Sequence, residues 1–100
     1  MKIQLSDEAI SDLALGADFY ESIKEGLGVY FNDCLASDID SLLLYAGIHA
    51  SEDGQFYTMS QRFPYVIWYG IEGDLIIIYA VLDARADPAD NQQRLRERRN

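Results

Sequence analysis

The sequence predicts an α+β domain: an N-terminal strand, an antiparallel helical hairpin, a three-stranded antiparallel meander and a basic C-terminal tail. Three observations carry that expectation. Apolar residues recur at helical spacing over roughly residues 7–42, and a Gly-Leu-Gly at 26–28 divides the run in two. From residue 55 onward three stretches, QFYTMSQ, FPYVIWYG and LIIIYAVL, follow one another across short turns. A chain of 100 residues that is 49% apolar can fill one core, and not two.

The first strand is KIQLS, with Ile3 and Leu5 on one face. Ser6 follows as a helix N-cap, because its hydroxyl can accept from an N–H of the first turn. Asp7 and Glu8 place negative charge where the helix dipole favours it. Ile10, Leu13, Ala14, Ala17 and Tyr20 then share one stripe of a helix that reaches about Ile23. In the second helix Leu27, Phe31, Leu35, Ile39 and Leu42 repeat near every fourth residue. Two helices joined by a short glycine-containing turn pack antiparallel. After Gly47, IHASEDG reads as loop. QFYTMSQ alternates and makes a strand ending at Arg62. FPYVIWYG is the next strand, with Pro64 near its start, where a missing N–H costs least. IEGD turns the chain, and LIIIYAVL is the last strand. The last two strands are apolar on both faces and therefore need cover on both sides. The hairpin covers one face. The other requires the C-terminal segment, a second copy or a partner protein.

The formal net charge is −9, unevenly placed. Residues 1–93 hold sixteen acids against Lys2, Lys24, Arg62 and Arg85, whereas residues 94–100 hold Arg94, Arg96, Arg98 and Arg99 against Glu97. Tight nucleic-acid binding takes several Lys or Arg contacts to phosphate, so direct binding to RNA or DNA is not expected of this body. Cys34 is the sole cysteine and His49 the sole histidine, too few for a disulfide or a structural zinc site, and no cofactor is expected. No apolar run reaches the roughly 18 residues of a membrane helix, and MKIQLSDEAI lacks the pattern of a signal peptide. A cytoplasmic protein is expected. Residues 1–88 read as the domain and 89–100 as the basic tail, helical or disordered.

DFYE at 18–21, GLG at 26–28, RFPYVIWY at 62–69, EGDLIIIYAVL at 72–82 and DARADP at 83–88 fall in an order that resembles the ParE branch of the RelE/ParE toxin superfamily, small bacterial plasmid-stabilisation proteins. The likeness spans roughly residues 2–88 and implies the same strand, hairpin and antiparallel sheet. It also implies the toxin of a type II toxin–antitoxin system, neutralised by a cognate antitoxin. In the ParE branch the target class is DNA gyrase, inhibited by binding; in the RelE branch the activity is cleavage of messenger RNA on the ribosome. A third reading is an inactive interaction protein that keeps the fold.

Arg62 and Arg85 match two positions where arginine is common in that superfamily, and are the candidate catalytic residues if the chain is an enzyme. A guanidinium offers paired donors to phosphate or carboxylate. Many relatives carry a histidine where this chain has Asp83 and an arginine where it has Ala86. An aspartate donates no proton at neutral pH unless its pKa is raised strongly, so binding is favoured over RNA cleavage. The candidate partner-binding residues are Arg62, Tyr65, Trp68, Tyr69, Arg85, Arg94 and Arg96, since aromatic and arginine side chains anchor protein interfaces. Expected partners are the antitoxin, DNA gyrase and a second copy forming a homodimer.

Overall fold

In the computed structural model, which describes residues 1–52 and 54–99, the chain runs β1 (Lys2–Leu5), α1 (Asp7–Ile23), α2 (Leu27–Asp40), α3 (Leu42–Tyr45), β2 (Ser51–Glu52), β3 (Gln55–Met59), β4 (Tyr65–Glu72), β5 (Leu75–Asp83) and α4 (Pro88–Arg99). Asp53, expected in the loop, and Asn100, at the end of the tail, lie outside the described residues. The strands form one five-stranded sheet in the order β1-β5-β4-β3-β2. β1 runs parallel to β5, and every other neighbouring pair is antiparallel. The α+β order of strand, hairpin and antiparallel meander is thus the observed one.

Local chemistry sets the helix ends. The Ser6 hydroxyl accepts from the Ala9 N–H at 3.1 Å and caps α1. The Glu21 carboxylate, near the end of α1, accepts from Gly26 N–H at 3.0 Å and Gly28 N–H at 2.9 Å. It thereby satisfies donors that would be orphaned at the start of α2, and those bonds hold its carboxyl below the ordinary range. The helices approach closely through two glycines. A Cβ on Gly16 would stand 2.5 Å from the Phe31 ring, and one on Gly28 would stand 2.7 Å from the Ala17 carbonyl oxygen.

The hairpin packs on one face of the sheet around Phe31, Leu35, Leu42, Ile67, Tyr69 and Ile76, all fully buried. β4 and β5 pair from Tyr65↔Asp83 to Glu72↔Leu75, with a shift of register between Trp68 and Tyr69. Trp68 faces Ala80 and Tyr69 faces Ile78, so Tyr79 is an extra residue, a bulge. The alternation of faces changes phase there. Ile76, Ile78 and Val81 join the hairpin-side core, whereas Ala80 and Leu82 join a second cluster on the opposite face. That second cluster is closed by Leu95 of α4 and by half-buried Trp68. The C-terminal segment is therefore a helix that covers part of the outer face, which explains why the strand sequence is apolar on both sides.

Four expectations are corrected by the structure. The second helix does not run through Leu42: it stops at Asp40, and a separate turn of helix, α3, follows. The expected loop holds a two-residue strand, Ser51–Glu52, paired with β3. The third strand stops at Met59 rather than Arg62, and the fourth starts at Tyr65 rather than Phe63. Residues 60–64 make the turn instead, with Ser60 N–H donating to the Tyr65 carbonyl at 2.8 Å. Cys34 on α2 is partly buried and packs against the core.

Candidate functional site

β4 begins and β5 ends beside the hairpin turn, and aromatic rings fill that end of the core. Phe63 lies at its centre, with ring centroids 4.7 Å from Tyr20, 5.0 Å from Phe31 and 5.8 Å from Tyr30. The two candidate arginines flank this cluster. Arg62, exposed, donates from Nη1 to the Tyr30 hydroxyl at 3.2 Å. Arg85 donates from Nη2 to the Tyr20 hydroxyl at 3.2 Å. Tyr20 and Tyr30 both pack on Phe63, so the fold brings Arg62 and Arg85 to one aromatic end although they are far apart in sequence.

Arg85 is also clamped by Asp83. Its Nε and Nη2 reach the carboxylate at 3.1 Å each, and its backbone N–H reaches it at 2.8 Å. Partial burial pushes the Asp83 carboxyl up, but the side-chain and backbone hydrogen bonds from Arg85 outweigh it and hold the carboxyl below its ordinary value. Hydrogen bonding to Asp83 likewise raises the Arg85 pKa. The pair is thus fixed as carboxylate and guanidinium. It can orient a polar group; it cannot supply a proton near neutral pH.

A second feature lies on the outer face, between α4 and the sheet. It is a cleft of about 280 Å³ with Val66, Trp68, Leu82 and Leu95 as apolar walls and Glu52 and Arg96 among its charged lining. Trp68 packs on Tyr57 of the neighbouring strand at 4.8 Å. Arg94 is exposed on the same helix. Of the expected partner-binding residues, Trp68 and Arg96 therefore share this cleft, while Arg62 and Arg85 share the aromatic end. Such a cleft suits an apolar side chain framed by one charge of each sign.

Tyr65 and Tyr69 belong to neither surface. They were expected on a partner face, but alternation along β4 turns them under the hairpin, where they are 6% and 0% exposed. Burial, with the nearby Asp83 charge, pushes the Tyr65 hydroxyl up to about 12. The Tyr69 hydroxyl accepts from Gly47 N–H at 3.1 Å and pairs with His49 Nδ1 at 2.5 Å. His49 is thereby half-buried as an anchor of its loop.

Sequence reasoning missed the contact that seats α4. Asp12 on α1 is 7% exposed, and its carboxylate accepts from Arg98 Nη1 at 2.5 Å, Arg98 Nη2 at 2.9 Å and Val81 N–H at 2.9 Å. β1 ends at Leu5, paired with Ile78, so the edge of β5 beyond that point lacks a strand partner. Asp12 and Arg98 supply one instead, Arg98 also donating to the Tyr79 carbonyl at 3.3 Å. The sequence reading gave no signal for it, since Asp12 lies off the expected stripe of Ile10, Leu13, Ala14, Ala17 and Tyr20.

Among the described residues no group of three or more His, Cys, Asp or Glu side chains is placed to hold a metal, and no helix is long and apolar enough to cross a membrane. No protein-family model matches the chain, and no curated protein matches its sequence. The fold, by contrast, has solved counterparts. A chain of the chromosomal ParDE TA system from P. aeruginosa superposes with a TM-score of 0.75 over 85% of this chain and 97% of that one. The two share one fold. Their sequence identity is 16%, so the likeness lies in the course of the backbone and assigns no role to any side chain.

Proposed function

We propose that this chain is the ParE-like toxin of a type II toxin–antitoxin system, acting in the bacterial cytoplasm by binding a protein target and neutralised by a cognate antitoxin. DNA gyrase is the proposed target. The observation that supports this reading is the fold shared, nearly end to end, with a chain of a ParDE system. The charge distribution supports a protein target over a nucleic acid, since among the described residues of the body acids greatly outnumber bases.

A RelE-like endonuclease is the second reading, and the convergence of Arg62 and Arg85 on one aromatic end favours it. The state of the site opposes it. Asp83 stands against Arg85 as an ionised carboxylate, so it would repel a scissile phosphate and cannot protonate a leaving oxygen.

Induced expression in bacteria, with and without the adjacent gene, tests the proposal. Growth arrest with filamentation and a DNA-damage response, relieved by the neighbour, is the expected result. Arrest with immediate loss of protein synthesis would transfer the assignment to messenger RNA cleavage. No arrest in cells containing folded protein would leave an inactive interaction protein with this fold.

A further inference from the structure

The segment that joins the hairpin to the sheet has a surface that neither the core nor the proposed toxin activity uses. Leu43, Leu44, Tyr45 and Ile48 are exposed by 50%, 81%, 51% and 73% within six residues. No charged residue occurs from 41 to 51, the longest such run in a chain of net charge −9. Scattered exposed apolar residues need no explanation, but four large ones within six residues of an uncharged run do.

The segment is also held in place. Gly47 N–H donates to the hydroxyl of fully buried Tyr69, and His49 Nδ1 contacts the same hydroxyl. Ala46 N–H closes α3 on the Leu42 carbonyl at 3.0 Å, and Ile48 N–H bonds the Tyr45 carbonyl at 3.2 Å. Gly47 sits at φ 92°, a conformation other residues rarely adopt. An apolar surface ordered before contact loses little conformational entropy on binding.

We propose that this surface is a self-association site, at which Leu43, Leu44, Tyr45 and Ile48 of two copies meet about a two-fold axis. Charge selects the second copy as the occupant. A two-fold contact sets a patch against itself, so any net charge in it faces the same charge. Several other exposed apolar residues lie among acids, Ile10 beside Glu8, Phe19 beside Asp18 and Glu21, and Ile23 beside Glu21 and Glu25, while Leu15, Val29, Tyr30 and Met59 stand in shorter uncharged runs. Residues 41–51 offer an apolar face that two acidic chains can share without pairing carboxylates. The remaining repulsion between the two bodies is long-range and screened by salt, so self-association strengthens as ionic strength rises. A contact with a basic partner would weaken instead. The inference does not depend on the toxin reading.

Analytical ultracentrifugation of the full chain, from about 1 to about 200 μM, tests it. The expected result is a monomer–dimer equilibrium that moves toward dimer between about 0.05 and about 0.5 M salt. Leu44→Glu and Ile48→Glu each weaken it at least ~10-fold, while Leu15→Glu, on exposed α1 surface, leaves it unchanged; circular dichroism checks that each variant is folded. A monomer across the whole range overturns the proposal. So does a dimer that survives both patch variants, or one that Leu15→Glu disrupts equally.

Discussion

Replacing Arg98 by Met removes the guanidinium and keeps an apolar stem of similar length. It strands Asp12, whose side chain is 6% exposed, with one remaining donor, Val81 N–H. Breaking a fully buried ion pair from one side costs about 3–5 kcal/mol. Arg98 keeps 15% of its side chain exposed and lies in the last turn of the chain's final helix, which places this pair at the lower end. A competing route limits the loss further. α4 is seated on the outer face by one buried apolar residue, Leu95, worth about 1.5–3 kcal/mol. Lifting α4 would let water reach Asp12 for about that amount. Undocking and the stranded charge thus come to similar energies, and Arg98→Met should lower stability by about 2–3 kcal/mol with α4 released in the variant. Trp68 is the sole tryptophan and packs in the cluster Leu95 closes, so its fluorescence follows urea unfolding and also senses α4. Trypsin cleavage at Arg94 and Arg96 reports release of the helix directly. Asp12→Asn, which keeps an oxygen for Val81 N–H, combined with Arg98→Met should recover at least half of the loss. A single-variant loss under about 0.5 kcal/mol with unchanged trypsin resistance would refute the assignment of this pair as the seat of α4.

Alkali should destabilise the fold through Tyr65. Its hydroxyl ionises near the ordinary 10 when unfolded and at about 12 when folded, so its contribution is complete below pH 10 and is lost as pH rises toward 12. Tyr65→Phe should flatten that part of the pH–stability curve measured by urea titration; an unchanged slope would contradict the burial argument. On the acid side, the lowered Asp83 pKa contributes stability above its ordinary 3.8 that is lost as pH falls through the folded value. Arg85→Ala should raise the Asp83 pKa in an NMR titration. Gly28→Ala and Gly16→Ala should each cost about 1–3 kcal/mol, because the added Cβ meets the Ala17 backbone carbonyl in the first and the fully buried Phe31 ring in the second. Thermal and urea unfolding would compare the two, and equal stability to wild type would sink the close-contact reading. Tyr69→Phe removes the acceptor of Gly47 N–H and should cost about 1–2 kcal/mol, with faster hydrogen exchange at that amide.

The helical hairpin and the meander were legible because their signals are local. Ser6 caps α1 with its own side chain, the Gly-Leu-Gly divides the two helices, and apolar spacing marks the buried stripe of α2. In α1 the buried positions are Ala9, Asp12, Gly16 and Tyr20, while Ile10 and Ala14, expected on the stripe, are exposed. Element ends were less so. Ser41 interrupts the second helix, and residues 60–64 turn where alternation alone runs on as strand. The candidate site was legible in part. Arg62, Arg85, Trp68 and Arg96 stand where a ligand or partner can reach a guanidinium or ring, but Tyr65 and Tyr69 have the same composition as surface anchors and are buried. Aromaticity does not say which face of a strand a residue takes.

By itself the sequence determined the first strand, the two long helices and the three long strands of the meander, that the chain is acidic with half of its bases gathered at one end, and that the strands need cover on both faces. Those are properties of neighbouring residues and of composition. Only the tertiary structure decided that β5 enters between β1 and β4, that the Tyr79 bulge shifts Ala80 and Leu82 to the outer face, and that α4 supplies the second cover. Each of these depends on contacts between residues distant in sequence, Asp12 and Arg98 being 86 positions apart. Such contacts leave no periodicity behind, because a long-range pair is fixed by the geometry of the sheet edge that both residues reach and not by the residues beside them.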